Sequence, residues 1–130
     1  MIEIGMSYTV ELLAQECDTA RVIGSGELDV LATPKMCALM EKAAYMCISN
    51  ELEQGASSVG TSLNIKHLSA TPVGMKVSAT ATVTAVDGRK VSFHLTASDE
   101  AGVIGEGEHE RFIVYKEKFL SKTYSKLESK

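Results

Sequence analysis

Apolar and polar residues alternate along most of the second half of the chain, and this two-residue period predicts a β-rich fold. Met75, Val77, Ala79, Ala81, Val83 and Ala85 alternate with Lys76, Ser78, Thr80, Thr82 and Thr84, as in a strand with one buried face. Asp87-Gly88 supplies a hairpin turn. Residues 90–98 follow with Val91, Phe93, Leu95 and Ala97 on one face, leaving His94 on the polar one. After a loop at 99–102 a last strand is expected over 103–115. Towards the N-terminus, residues 6–14 set Met6, Tyr8, Val10 and Leu12 against Ser7, Thr9 and Glu11. Residues 58–70 read as a further strand, ended by the turn signature Thr71-Pro72-Val73-Gly74. Parity within it puts Val59, Leu63, Ile65 and His67 on the apolar side and Lys66 opposite.

One segment has the other period. Met36, Leu39, Met40, Ala43, Ala44, Cys47 and Ile48 fall on one wide face at about 100° per residue, so a helix is expected that other structure largely wraps. Thr33-Pro34 looks like its start, with Thr33 as the N-cap and Pro34 at the first helical position. Gly55 is a plausible stop. Residues 15–32, with Gly24 and Gly26, read as an irregular connection. The order is then strand, helix and four antiparallel strands in a meander, a sheet curled around a long helix. This is α+β in class, one domain over residues 1–130. Its open edges would need cover, and a homodimer joining two sheets would supply it.

Composition narrows the function more than the fold. The chain carries a net charge of −4 and no Trp, so the core must be aliphatic. There is no basic footprint for nucleic acid. The tail lysines Lys116, Lys118, Lys122, Lys126 and Lys130, interrupted by Glu117 and Glu128, read as a solvated terminal segment. Cys17, Cys37 and Cys47 show neither a dithiol nor a metal-ligand spacing with the three His. No metal site is expected, and scattered thiols fit a reducing, cytoplasmic setting. No signal peptide or membrane-spanning stretch is legible.

Several residues could carry chemistry. Glu41 has Cys37, Ala38, Ala44 and Tyr45 three and four positions away, so no ion pair forms within the helix. Buried without a cation, such a carboxylate would become a base near neutral pH; the plainer alternative is a place at the edge of the exposed face. His67 is either a hydrogen-bonded core residue or a group aimed into a site. Gly60 marks a bulge or offers its N–H to an oxyanion. In the last strand Gly105, Gly107, His109 and Arg111 share one face, with Glu106, Glu108 and Glu110 on the other. An inward Arg111 needs an anion, from the fold or from a ligand phosphate.

The order and spacing of these pieces resemble the hotdog-fold thioesterases related to fluoroacetyl-CoA thioesterase. The resemblance runs from about Val30 to Phe119. It is carried by Ala32-Thr33, by Leu39-Met40-Glu41 in the helix, by Val59-Gly60-Thr61, by His67-Leu68-Ser69-Ala70-Thr71-Pro72-Val73-Gly74, and by the stretch from Ile104 to Arg111 with Glu117-Lys118-Phe119 after it. It implies the hotdog fold, a five-stranded antiparallel sheet wrapped around one central helix. It also implies acyl-CoA hydrolysis by a catalytic Thr33, Glu41 and His67, with Gly60 and Arg111 contacting substrate. No cofactor is implied, since CoA is part of the substrate, and homodimers with sites at the subunit interface are. One departure stands out. The fluoroacetate-specific branch shields its site with aromatic residues just before the catalytic Thr, and residues 18–32 contain none, which points to a different acyl group. Two rival readings are a non-catalytic acyl-CoA binding or sensing dimer and a hotdog hydratase or dehydratase.

Overall fold

A computed structural model describes residues 1–128; Lys130 of the basic tail lies outside them. The elements are β1 (Ser7–Leu13), α1 (Ala20–Ile23), α2 (Thr33–Ser49), β2 (Ala56–His67), β3 (Lys76–Asp87), β4 (Lys90–Asp99), β5 (Gly102–Tyr115) and α3 (Lys116–Tyr124), with short 3-10 turns at Glu16–Asp18 and Ser125–Leu127. The strands form one antiparallel sheet in the order β1-β3-β4-β5-β2, with α2 against its inner face. This is the expected α+β architecture. Among the described residues no helix is long and apolar enough to cross a membrane.

The core follows from the two periodicities. All seven apolar residues of the helical stripe are buried on α2. They meet Val77, Ala79, Ala81 and Val83 of β3 and Val91, Phe93, Leu95 and Ala97 of β4, each no more than 1% exposed. The small alanines of β3 let the helix lie close to the sheet. At Gly107 of β5 a Cβ would clash with Asn64 O and stand 2.8 Å from Ile65 Cα, so glycine is what lets the neighbouring β2 backbone approach there.

Four expectations need correction. The last four strands are not a simple meander: β2 pairs with β5 at the far edge, and the 68–75 connection crosses the end of the sheet to reach β3. Along the way it is tied down by Leu68 N–H to Ile104 O at 2.7 Å and Leu31 N–H to Thr71 O at 2.9 Å. Second, Val59 does not share a face with Leu63, Ile65 and His67. The β2–β5 register shifts between Gly60 and Ser62, and one extra residue reverses the side on which the preceding side chains lie. Third, Thr33 is the first residue of α2, not its cap. Ala32 is the N-cap residue, and no side-chain cap is made. Fourth, His94 is not merely solvated, since its Nδ1 lies 2.6 Å from Glu108 Oε2 on the outer face.

The middle of β2 is unusual. A strand with one covered face should bury every second residue, yet Gly60, Thr61, Ser62, Leu63 and Asn64 are all exposed. Leu63 is inward by register, opposite the buried His109, and is still 39% exposed. Among the described residues nothing covers the inner side of this edge around Leu63.

Candidate active site

The residues singled out gather into two cavities, one at the start of α2 and one beside its middle. At the N-terminal end, Thr33 and His67 line a cavity of about 310 Å³ with Ala20, Val30, Leu31, Leu68 and Ala70 among its walls. The short α1 and the segment after it form one side. Thr19 caps α1 by accepting from Val22 N–H, and Arg21 Nε donates to Asp29 at 2.6 Å, which closes the 15–32 connection into a compact strap. Because the helix start leaves the Thr33 hydroxyl free of capping, it meets His67 Nδ1 at 2.7 Å instead. The other ring nitrogen, Nε2, is buried and has no hydrogen-bond partner. A buried polar atom left unpaired is costly. One imidazole nitrogen is thus held by a hydroxyl and the other is unpaired.

Two turns along α2, Glu41 lines a second cavity of about 490 Å³ with Tyr45, Ser58, Gly60 and Arg111. Glu41 is half-buried. A Cβ on Gly60 would lie 2.9 Å from Glu41 Oε2 and 3.5 Å from Arg111 Nη1. The missing side chain is what lets carboxylate and guanidinium approach the strand together. Glu41 therefore faces a cation from β5, with none on its own helix. Burial lowers the guanidinium pKa from its ordinary value, against the raising pull of Glu41 and Tyr45; Arg111 remains a cation. The fold supplies it with neutral acceptors: Nε donates to Ser58 Oγ at 2.8 Å and Nη2 to Ser58 O at 2.9 Å.

The cysteines are poor nucleophile candidates. Burial, then the charge of Glu41, pushes the Cys37 thiol up, and burial pushes Cys47 up. An activated thiolate needs the opposite shift. Among the described residues no cluster of His, Cys, Asp or Glu could hold a metal ion.

The trio is thus brought together only in pairs. Thr33 touches His67, while Glu41 sits with Gly60 and Arg111. Eight helical residues separate Thr33 from Glu41, a rise of about 12 Å, and the seven steps of β2 from Gly60 to His67 span about 23 Å. Within one chain these groups cannot act on a single carbonyl. Sequence reasoning left His109 and Ser58, the two partners of Arg111, without a role. The parity that placed His109 beside Arg111 was the available sign for the first; Ser58 was hidden by the bulge.

Residues 14–117 match the model of the fluoroacetyl-CoA-specific thioesterase family. The fluoroacetyl-CoA thioesterase of Streptantibioticus cattleyicolor is 40% identical over 98 residues, covering 75% of this chain and 70% of that protein. A crystal structure of a variant fluoroacetyl-CoA-specific thioesterase superposes with a TM-score of 0.91 at 32% identity, over 97% of this chain and 98% of the other. The same variant in complex with fluoroacetate and CoA gives a TM-score of 0.86 at 33% identity, over 91% and 99% of the two chains. With fold, length and spacing in agreement, the chain belongs to the fluoroacetyl-CoA-specific thioesterase family and has its hotdog architecture.

Proposed function

We propose that this protein hydrolyses an acyl-CoA thioester to the free acid and CoA, in a site that two chains complete. The supporting observation is the split of the site itself. Thr33 and His67, with a buried unpaired Nε2, lie at one end of an uncovered β2 edge, and Glu41, Gly60 and Arg111 lie towards the other. Antiparallel pairing of β2 with a second copy turns these ends towards each other, so that His67 of one chain approaches Glu41 of its partner. It would also cover the exposed run around Leu63. A homodimer of this kind has two equivalent sites.

In this reading the Gly60 N–H polarises the thioester carbonyl, where negative charge develops. Glu41 either attacks it, giving a mixed anhydride that water then opens, or takes a proton from the attacking water. The C–S bond breaks and CoA leaves as a thiolate; the imidazole passes it a proton and is reprotonated by the one released from the attacking water. Thr33 holds that imidazole through Nδ1 and so aims Nε2. The related crystal structure with fluoroacetate and CoA supports CoA as the thiol half. For the acyl half, the cavity beside His67 is walled by Ala20, Val30, Leu31, Leu68 and Ala70, with Ser25 and Ser69 and no Phe, Tyr or Trp, which favours unfluorinated aliphatic acyl groups over fluoroacetyl.

A panel of acyl-CoAs read by free-thiol release tests the reading. Turnover faster on an aliphatic acyl-CoA than on fluoroacetyl-CoA is expected; binding of every acyl-CoA without thiol release would replace hydrolysis with a sensing role. Thr33 provides a second check. Since it caps nothing, Thr33→Ala should leave the melting temperature almost unchanged while lowering kcat by about ten- to a hundredfold through a misaimed imidazole. Thr33→Ser should retain most of the activity. Equal kcat in all three proteins would leave Thr33 without a catalytic part.

A further inference from the structure

We propose that His109 is a positioning residue, which fixes the Gly60 bulge and the Arg111 guanidinium in one frame facing Glu41. The inference rests on the thioesterase reading of this site and adds to it a group that touches no substrate.

The argument starts from which atoms can donate. His109 is 1% exposed and Arg111 is 8% exposed, two residues apart on the inner face of β5. His109 Nδ1 lies 2.8 Å from Ser62 O. A carbonyl oxygen only accepts, so Nδ1 carries the proton. Nε2 lies 3.2 Å from Arg111 Nη1, and a guanidinium only donates, so Nε2 must be bare. One state of the ring satisfies both contacts, the neutral imidazole with its proton on Nδ1. The surroundings favour that state. Burial, the largest influence, lowers the imidazole pKa; the Ser62 carbonyl raises it, Arg111 lowers it again, Glu41 and Glu110 raise it, and the net shift is downward. Phe93 of β4 packs its ring 6.0 Å from the imidazole centroid and adds no charge.

Both ends of this bridge lead to substrate-facing groups. Ser62 is the first residue paired again after the β2 register shift at Gly60, so the Nδ1 bond pins the far side of the bulge. The imidazole Cε1 would stand 3.1 Å from a Cβ on Gly60, which places the ring directly beneath that glycine. At the other end Nε2 takes one Nη1 proton. With Ser58 holding Nε and Nη2, three of the five guanidinium N–H groups are occupied and the plane of the group is fixed. The two that remain are free for a ligand or for Glu41. A buried, uncharged histidine that contributes only orientation explains why a polar ring stands at a core position of β5.

Substitutions that keep one bond at a time test this. His109→Gln places an acceptor near the Nε2 position, His109→Asn keeps a donor near Nδ1, and His109→Leu keeps only bulk. With dimers verified for each, Gln and Asn should each lower kcat/KM by a few-fold, and Leu, which keeps neither bond, on the order of tenfold or more. In an Arg111→Ala background Asn, which gives up only the Arg111 bond, should make no further difference to kcat/KM, while Gln should keep its loss. Wild-type kcat/KM in all three proteins, or an Asn loss of the same size with and without Arg111, would overturn the proposal. If the Leu protein does not fold, Gln and Asn decide alone. Nitrogen NMR of the imidazole gives a readout independent of turnover: the Nδ1–H form should persist across the working pH range, and an Nε2–H form would also overturn the frame. Absence of wild-type turnover on every acyl-CoA would sink the thioesterase reading, while the spectrum still decides whether the frame exists.

Discussion

Glu41→Gln is expected to lower kcat for thioester hydrolysis by about a hundredfold or more, the cost of removing a base or nucleophile, in a dimer that remains folded. The substitution keeps the shape of the side chain and removes its charge. Its neighbours give little reason for a structural collapse. Arg111 keeps its bonds to Ser58 and His109, so the loss of Glu41 strands no guanidinium. The packed face of α2 is made by other residues. KM for the acyl-CoA should change far less than kcat if Glu41 acts on the transition state. A kcat within a few-fold of wild type at saturating substrate would remove Glu41 from the chemistry and leave it as the counter-charge of Arg111.

The second large effect concerns two chains at once. His67→Ala alone should be nearly inactive, because it removes both the partner of Thr33 and the unpaired Nε2. Mixing it with Glu41→Gln through co-expression should restore activity. Each mixed dimer would hold one site with both defects and one with neither. Random pairing makes about half the dimers mixed, so recovery should approach a quarter of the wild-type rate if sites are shared between two-fold related chains. A site built within one chain predicts no recovery at all, since every chain carries a defect. Activity of the mixture no higher than that of its parents would therefore refute the shared site while leaving the roles of the individual residues open to the single variants.

Much of this molecule is legible in the sequence because the physics is local. The alternation in β3 up to Val83 and in β4, and the seven-residue stripe of α2, each depend on neighbours a few positions away and fall on the expected faces, while a register shift after Val83 puts Ala85 opposite Ser92, on the exposed side. Pairing order is different. Nothing in residues 56–76 distinguishes a hairpin between β2 and β3 from the observed pairing of β2 with β5, since both are antiparallel and both satisfy the same alternation. The bulge after Gly60 has the same character. A single extra residue leaves composition untouched and reverses parity, which misplaced Val59 and hid the Ser58 contacts to Arg111. Thr33 shows a third limit. Threonine before proline is a good cap by propensity, but propensity cannot see His67, thirty-four residues away, competing for the hydroxyl. For the site, residue types were legible and convergence was not: which of Thr33, Glu41 and His67 meet depends on the helix rise and strand length of the folded chain.

The uncovered β2 edge also bears on how the protein would respond to its own abundance. If pairing completes the site, a lone chain is a folded but idle half. The paired fraction then rises with total protein, and specific activity is not a constant but a function of dilution, falling away below the dissociation constant of the pair. A cell doubling the amount of such a chain near that threshold would gain more than a doubling of rate, and a sparse supply would be almost silent. The geometry of one strand would thereby set a dosage threshold for the chemistry, with no effector required.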